Sequence, residues 1–363
     1  MAISDNKHDP SIDYIKGIAL ILMVVGHSGF PFSNWIYLFH MAAFFIASGY
    51  CWNDSHSNSI EDIRLYIMKK LKTLYVPYVV VSGLCVVFNN FFVRCGIYSD
   101  TLGGVQVTST ISIYEIVKEL LQIFLFLGSK HTQLAGAFWF LRCLFIVNVL
   151  YCFVDYVDKK INGLGKLKAL SVVVCSVFAE FVSRGYFSFL HGFRTVFCAY
   201  VIYVFGIGLK KYEHNVERFY NLWGATVAFI GLCFMTRYGT ISISAGIITN
   251  TLFFLISSFM GWVMLYAVSQ HLGRMKNLIQ LVNKSSIWVM ALHFLSFKIV
   301  TLTYIKYNNL PEMLLASFPV LDTDSKWLWI AYSTVGVIMP VLCYLCWERI
   351  RRKRVRKQRV DIK

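Results

Sequence analysis

The chain consists largely of long apolar runs with few interruptions, and that one feature excludes most folds. A bilayer core needs roughly 20 apolar residues as helix to cross it. Ten stretches approach that length: 12–30, 35–52, 73–93, 134–154, 169–183, 195–209, 219–236, 250–269, 286–304 and 327–347, of which the fifth and sixth are the shortest. Hydrophobic residues make up 57% of the chain and charged ones 15%, without the surface-and-core periodicity of a soluble domain. The alternating ten-residue segments of a transmembrane barrel are missing too. The expected fold is all-α: a polytopic membrane protein of about ten transmembrane helices.

Charge sorts the loops. With an even number of spans and a cytoplasmic N-terminus, the clusters at Lys69, Lys70 and Lys72, at Lys159 and Lys160, at Lys166 and Lys168, and at Lys210 and Lys211 all fall on the inner side, together with the basic tail 348–363. The positive-inside rule therefore expects both termini in the cytoplasm. The net charge of +16 is concentrated in that tail, directly against a span, which reads as lipid contact and not as nucleic-acid binding. The first apolar run is followed at once by a second, with no small-residue cleavage site between them, so it reads as a retained span. Most of the cysteines lie within spans and read as small buried hydrophobes. No loop is long enough to enclose a core, so 1–363 reads as a single membrane domain. Residues 98–112 read as loop, 114–127 as a helix lying in the interface, and 55–72 as an amphipathic helix leading into the third span.

Ionisable groups inside a bilayer usually face a cavity or a partner, and they are the best functional pointers in such a chain. Lys16 and His27 are eleven residues apart, almost three helical turns, so they share one face about 16 Å apart along the axis. Asp13 sits one turn before Lys16 and can neutralise it. His40 lies in the second run, about as far from the connecting turn as His27, and the small residues Ala43 and Ala47 allow close helix approach. Each histidine reads either as an interhelical hydrogen-bonder or as a proton acceptor working near neutral pH. Arg142 beside Trp139 in the fourth run stays charged wherever it lies. His293 and Glu180 read equally as satisfied core groups or as functional ones. Lys69 and Lys72 fall on one helix face, either as topology signals or, with Lys70, as a phosphate-binding collar. No H-x-x-x-H or similar pair stands at ligand spacing on one helix, so no metal is expected.

Several segments taken together resemble the acyltransferase 3 family of membrane acyltransferases. Asp13-Tyr14-Ile15-Lys16-Gly17-Ile18-Ala19 leading to Val25-Gly26-His27 is similar to the family's Arg followed by His in the first span, with Lys16 keeping the charge but not the bidentate fork. The run from Leu38 through His40 and Met41 to Ser48-Gly49-Tyr50 resembles the family's second span, with Ala42 where proline is usual. Lys69-x-x-Lys72 before Val76-Pro77-Tyr78 resembles an R-x-x-R element. Phe138-Trp139-Phe140-Leu141-Arg142 resembles the fourth-span signature, and Trp288-Val289-Met290-Ala291-Leu292-His293 resembles a late His-containing segment.

The resemblance implies an O-acyltransferase, most simply an O-acetyltransferase, of a bacterial cytoplasmic membrane. It would take an acyl group from acyl-coenzyme A, used as co-substrate with no permanently bound cofactor, and give it to a hydroxyl of a surface or lipid-linked carbohydrate. His27 is then the general base or acyl carrier, with Lys16 and His40 in the catalytic set. Arg142, Trp139 and His293 would orient the acceptor or stabilise charge, and Lys69, Lys70 and Lys72 would hold the donor. The rival reading is a transporter or flippase of a lipid-linked saccharide, which predicts paired repeats that the sequence does not display. A non-catalytic scaffold would leave the charged stripe of the first span without a use.

Overall fold

A computed structural model describes residues 9–98, 109–186 and 193–361, over 355–361 for the backbone alone. The loop expected at 98–112 lies mostly outside these residues. The chain is helical almost throughout: α1 Pro10–His27, α2 Ser33–Tyr37, α3 His40–Tyr50, α4 Ile60–Lys70, α5 Val76–Val87, α6 Asn89–Arg94, α7 Ile113–Phe124, α8 Trp139–Lys160, α9 Lys166–Ser183, α10 Arg194–Lys211, α11 Glu213–Val216, α12 Leu222–Met235, α13 Thr251–Gln270, α14 Lys276–Lys284, α15 Ser286–Tyr307 and α16 Leu328–Asp361. A two-residue hairpin, β1 Ile241–Ser242 with β2 Ile247–Ile248, pairs Ile241 with Ile248.

Among the described residues six helices are long and apolar enough to cross a membrane: Pro10–His27, Ile60–Val87, Gln133–Lys160, Thr251–Gln270, Ser286–Tyr307 and Leu328–Arg354. Arg194–Lys211 with Glu213–Phe219, bent by 88°, makes a seventh if it is counted as one span. The remaining apolar runs are helical but fall short of that length or apolarity. The second is interrupted at Leu38 and Phe39 between α2 and α3, α9 begins with Lys166 and Lys168 and carries Glu180, and α12 has 14 residues.

The expected amphipathic helix before the third span is α4. It is capped by Ser59, whose side chain accepts from the Asp62 N–H, and it runs through a π-helical turn at Leu71–Tyr75 into α5. The expected helix at 114–127 is α7, opened by a capping box in which Ser112 and Glu115 satisfy each other's backbone N–H groups.

The described residues form two compact units. The first comprises residues 1–23, 34–73 and 143–283. Its tightest seam joins α3 to α10 through glycines: a Cβ on Gly49 would lie 1.9 Å from the Tyr203 carbonyl oxygen, and one on Gly206 2.3 Å from that of Ile46. Ala43 and Ala47, the small residues expected to allow close approach, are both buried on α3, and Gly49 adds to them. Asn148 is a buried junction, accepting from the hydroxyls of Tyr66 at 2.6 Å and Tyr203 at 3.4 Å. Near the end of α8, fully buried Asp155 accepts from Lys159 at 2.9 Å, from Lys168 at 2.8 Å and from Ser57. Asp158 accepts the backbone N–H groups of Gly165 and Leu167, both at 2.8 Å, and so ties down the start of α9.

The second unit comprises residues 24–33, 74–142 and 284–363. There α15 packs along α16 and against the 3₁₀ segment Gln133–Phe138. Gly336 of α16 meets Phe297 and Val24 so closely that a Cβ would lie 2.4 and 2.8 Å from their side chains, and Pro340 follows one turn later inside the same helix. Thr301 and Tyr332 share a buried hydrogen bond of 2.9 Å between α15 and α16.

Candidate functional site

In the second unit, His27 at the end of α1 stacks on His293 of α15, with ring centroids 5.7 Å apart and planes 26° from parallel. Phe294 closes against both rings, 5.1 Å from His27 and 3.9 Å from His293. Gly136 makes room for it, since a Cβ there would stand 3.2 Å from the Phe294 ring. His293 Nδ1 lies 2.9 Å from the Val289 carbonyl, which can only accept. The proton therefore belongs on Nδ1, and Nε2 presents a lone pair. That Nε2 is buried and has no hydrogen-bond partner among the described residues. His27 keeps part of its surface open, whereas His293 is fully buried.

The segment after α15 is tied back onto this end of the unit. Phe318 packs on Phe294 at 4.7 Å, Val320 lies against Gly29, and the buried Lys298 ammonium donates to the carbonyls of Leu315 at 2.9 Å and Ser317 at 2.7 Å. A lysine charge inside a membrane protein needs such carbonyl partners.

Arg142 lies in the same unit, on the first turn of α8 one step beyond Trp139. Its Nη1 donates to the Phe126 carbonyl at 3.1 Å, and no carboxylate of the described residues pairs with it. Gly128, at φ +80°, lets the guanidinium approach, because a Cβ there would lie 2.8 Å from Nη1. Phe126 holds the left-handed conformation at φ +62° although it is not glycine. The next residues carry a constellation that the sequence did not disclose. Buried Glu119 accepts from the Ser129 hydroxyl and lies 2.5 Å from His131 Nδ1. The sequence hides it because the three groups come from α7 and from a loop with no regular spacing.

The first unit holds the remaining candidates. His40 is buried, with Nδ1 2.9 Å from the Ile36 carbonyl, so its proton placement matches that of His293. Lys16 and Lys69 are both near enough to Lys70 for their charges to act on it. Lys70 is the lysine turned inward, with its ammonium 5.1 Å from the centre of the Tyr66 ring. Lys72 stands exposed in the π turn. That wider turn corrects the expectation that Lys69 and Lys72 share an α-helical face, since the α-helical register is lost after Lys70.

His56, to which the sequence assigned nothing, joins this group, stacked on Tyr66 at 4.5 Å. Burial and the charges of Lys69 and Lys70 hold its pKa below the ordinary histidine value. Glu180, read from sequence as either core or functional, accepts from Thr251 and pairs with Arg184. Among the described residues no group of three His, Cys, Asp or Glu side chains is placed to hold a metal.

Residues 9–348, nearly the whole chain, match the family model described as an acyltransferase domain, and the chain belongs to the acyltransferase 3 family. It is an acyltransferase, and its apolar helices make it an integral membrane one. No curated protein and no solved structure gives a significant match.

Proposed function

We propose that this protein moves an acyl group, most simply acetyl, from acyl-coenzyme A to a hydroxyl of a surface or lipid-linked carbohydrate in a bacterial cytoplasmic membrane, through about ten spans with both termini cytoplasmic. The observation that carries the reading is the imidazole pair: His27, partly open, stacked on His293, whose buried Nε2 lacks a partner. A buried acceptor atom left unpaired is costly unless a ligand completes it. A hydroxyl is the ligand that an unprotonated imidazole nitrogen takes best.

In this reading His27 removes the proton of the acceptor hydroxyl as its oxygen attacks the thioester carbonyl. A C–O bond forms, the C–S bond breaks, and the proton leaves with the coenzyme A thiolate as free thiol. His293 Nε2, which can only accept, takes a hydrogen bond from a neighbouring hydroxyl of the same carbohydrate and so orients the acceptor. Arg142, which has no carboxylate partner, offsets the negative charge that develops on the carbonyl oxygen, with Trp139 beside it shaping the acceptor's place. Lys16, Lys69 and Lys70 supply cationic partners for the phosphates of the donor, Lys72 adds charge at the edge, and His40 supports the donor side as a second fixed imidazole.

The test is release of coenzyme A thiol from acetyl-coenzyme A by the purified full-length protein, with and without a carbohydrate acceptor fraction. The reading expects acceptor-dependent release that His27→Ala abolishes. An undiminished rate in His27→Ala removes His27 from the chemistry. Failure of acetyl-coenzyme A to bind the solubilised protein removes the donor assignment.

A further inference from the structure

We propose that the first unit carries a lipid site separate from the imidazole pair: a groove along α12 and α13 that holds one acyl chain of an anionic phospholipid, with its phosphate on Arg218. The groove has a volume of about 650 Å³ and is lined by Phe219, Trp223, Val227, Ile256 and Met260, with Arg218 at one end. Its walls are apolar and outward-facing, with Trp223 81%, Val227 64% and Ile256 40% exposed. In a membrane protein such a trough meets hydrocarbon and not water, so its natural filling is a chain.

The level of the headgroup follows from the chain path. The apolar helix α10 runs to Lys211, and the chain then turns by 88° into the polar segment Glu213–Phe219, which the proposal places along the interface. Arg218 is at the end of that segment and Trp223 in the first turn of α12, the pairing of cation and indole expected at a membrane surface. From there the 14 residues of α12 rise about 21 Å, more than the ~15 Å of one leaflet's hydrocarbon.

Charge selects the kind of lipid. Glu217, the nearest carboxylate in sequence, is engaged with His214 at 2.9 Å, and no carboxylate of the described residues pairs with Arg218. The guanidinium lies 4.9 Å from the centre of the Phe219 ring, at the mouth of the trough and beside the N-terminal turn of α12, where the helix dipole also favours an anion. The mouth is held in shape. Asn221 accepts from the Gly224 N–H at 2.9 Å and donates to the Arg218 carbonyl at 2.7 Å, while Trp262 donates to the Tyr220 hydroxyl at 3.0 Å. A phosphodiester on Arg218 would add a charge-assisted, bidentate contact that a zwitterionic headgroup weakens with its own cation.

The test reconstitutes the full chain in nanodiscs of equal parts phosphatidylglycerol and phosphatidylcholine with identical chains, then counts retained lipids by native mass spectrometry. The expected result is retention enriched for phosphatidylglycerol. Arg218→Gln lowers that enrichment about tenfold, and Val227→Trp or Ile256→Trp, which fill the trough from its exposed side, reduce retention of both lipids. With brominated chains, the fluorescence difference between wild type and Trp223→Phe shows that Trp223 is quenched. Equal retention of the two lipids by wild type, an enrichment unchanged in Arg218→Gln, or retention unchanged in both tryptophan variants overturns the proposal. Displacement of the retained phosphatidylglycerol by a polyprenyl phosphate would also overturn it, since the occupant would then be a lipid carrier. None of these readouts uses acyl transfer, so the site stands or falls apart from the proposed reaction.

Discussion

Two polar clusters among apolar helices invite comparison, because both are buried and only one is complete. Around Asp155 the two carboxylate oxygens are divided among Lys159, Lys168 and Ser57, and the neighbouring Asp158 is taken up by the backbone of Gly165 and Leu167. That cluster does the work of a clasp between the turn at 54–57, the end of α8 and the start of α9. In the pair His27 and His293 one ring nitrogen is fixed by a carbonyl and another is left without a partner. Burial is common to both, so burial is not the mark of a site. Incompleteness is, because the cost of an unpaired polar atom persists in the resting protein unless something else binds there.

The sharpest way to break this contrast is to remove one member from each side and see whether activity and stability separate. His27→Ala is expected to lower turnover about 10³-fold with no loss of thermal stability, measured as coenzyme A release alongside a melting curve. Asp155→Ala should do the reverse. It leaves two lysines without their shared counter-charge and costs about 3 kcal/mol of stability, while kcat of the folded fraction stays near wild type. Comparable turnover losses in the two variants would erase the distinction.

His293→Ala tests the unpaired nitrogen. Loss of one hydrogen bond to the acceptor should raise the barrier by about 1.4 kcal/mol, about tenfold in kcat/KM, without loss of stability. A drop in melting temperature with unchanged kinetics would move His293 to the clasp class.

The smallest effect is expected at His56. Burial and the charges of Lys69 and Lys70 keep its pKa below the ordinary value, so the ring favours its neutral form and takes up a proton only in more acid solution than an ordinary histidine. A bound polyanion offsets the lysine charge and raises that pKa, so binding and protonation favour each other. Acetyl-coenzyme A should therefore bind wild type about threefold more tightly, relative to His56→Ala, as pH falls from about 7.5 to about 5.5. Parallel pH profiles for the two proteins would take His56 out of the donor's surroundings.

How much of this was legible in the sequence follows from which interactions are local. The helices were, because hydropathy and caps such as Ser112 with Glu115 act within a few residues. Their breaks were not. Phe39 interrupts the second run where its Cβ comes within 2.1 Å of where a side chain on Gly261 would begin, a long-range contact with no signature near Phe39. The π turn that separates Lys72 from Lys69 has no signature in the residue spacing either.

At the site, His27 is singled out by its spacing to Lys16 and by the family motif. Its stacking on His293 was not legible, because two helices distant in sequence must first take up a particular rotation. The sequence drew attention to His40 as the neighbour of His27, whereas within its own unit the ring on which His27 stacks is that of His293.

One feature of α16 bears on mechanics. Pro340 cannot donate to the carbonyl four residues back, and that residue is Gly336, the place where the helix has no side chain and touches Phe297 and Val24 most closely. Missing hydrogen bond and missing Cβ thus coincide in one turn. A helix bends where its ladder has a rung removed, so α16 has its most compliant point at the level where it leans on α15. A bulkier substrate beside Phe297 would be accommodated there by a change of curvature, and Pro340→Ala would stiffen the rod and narrow the range of acyl chains the protein accepts.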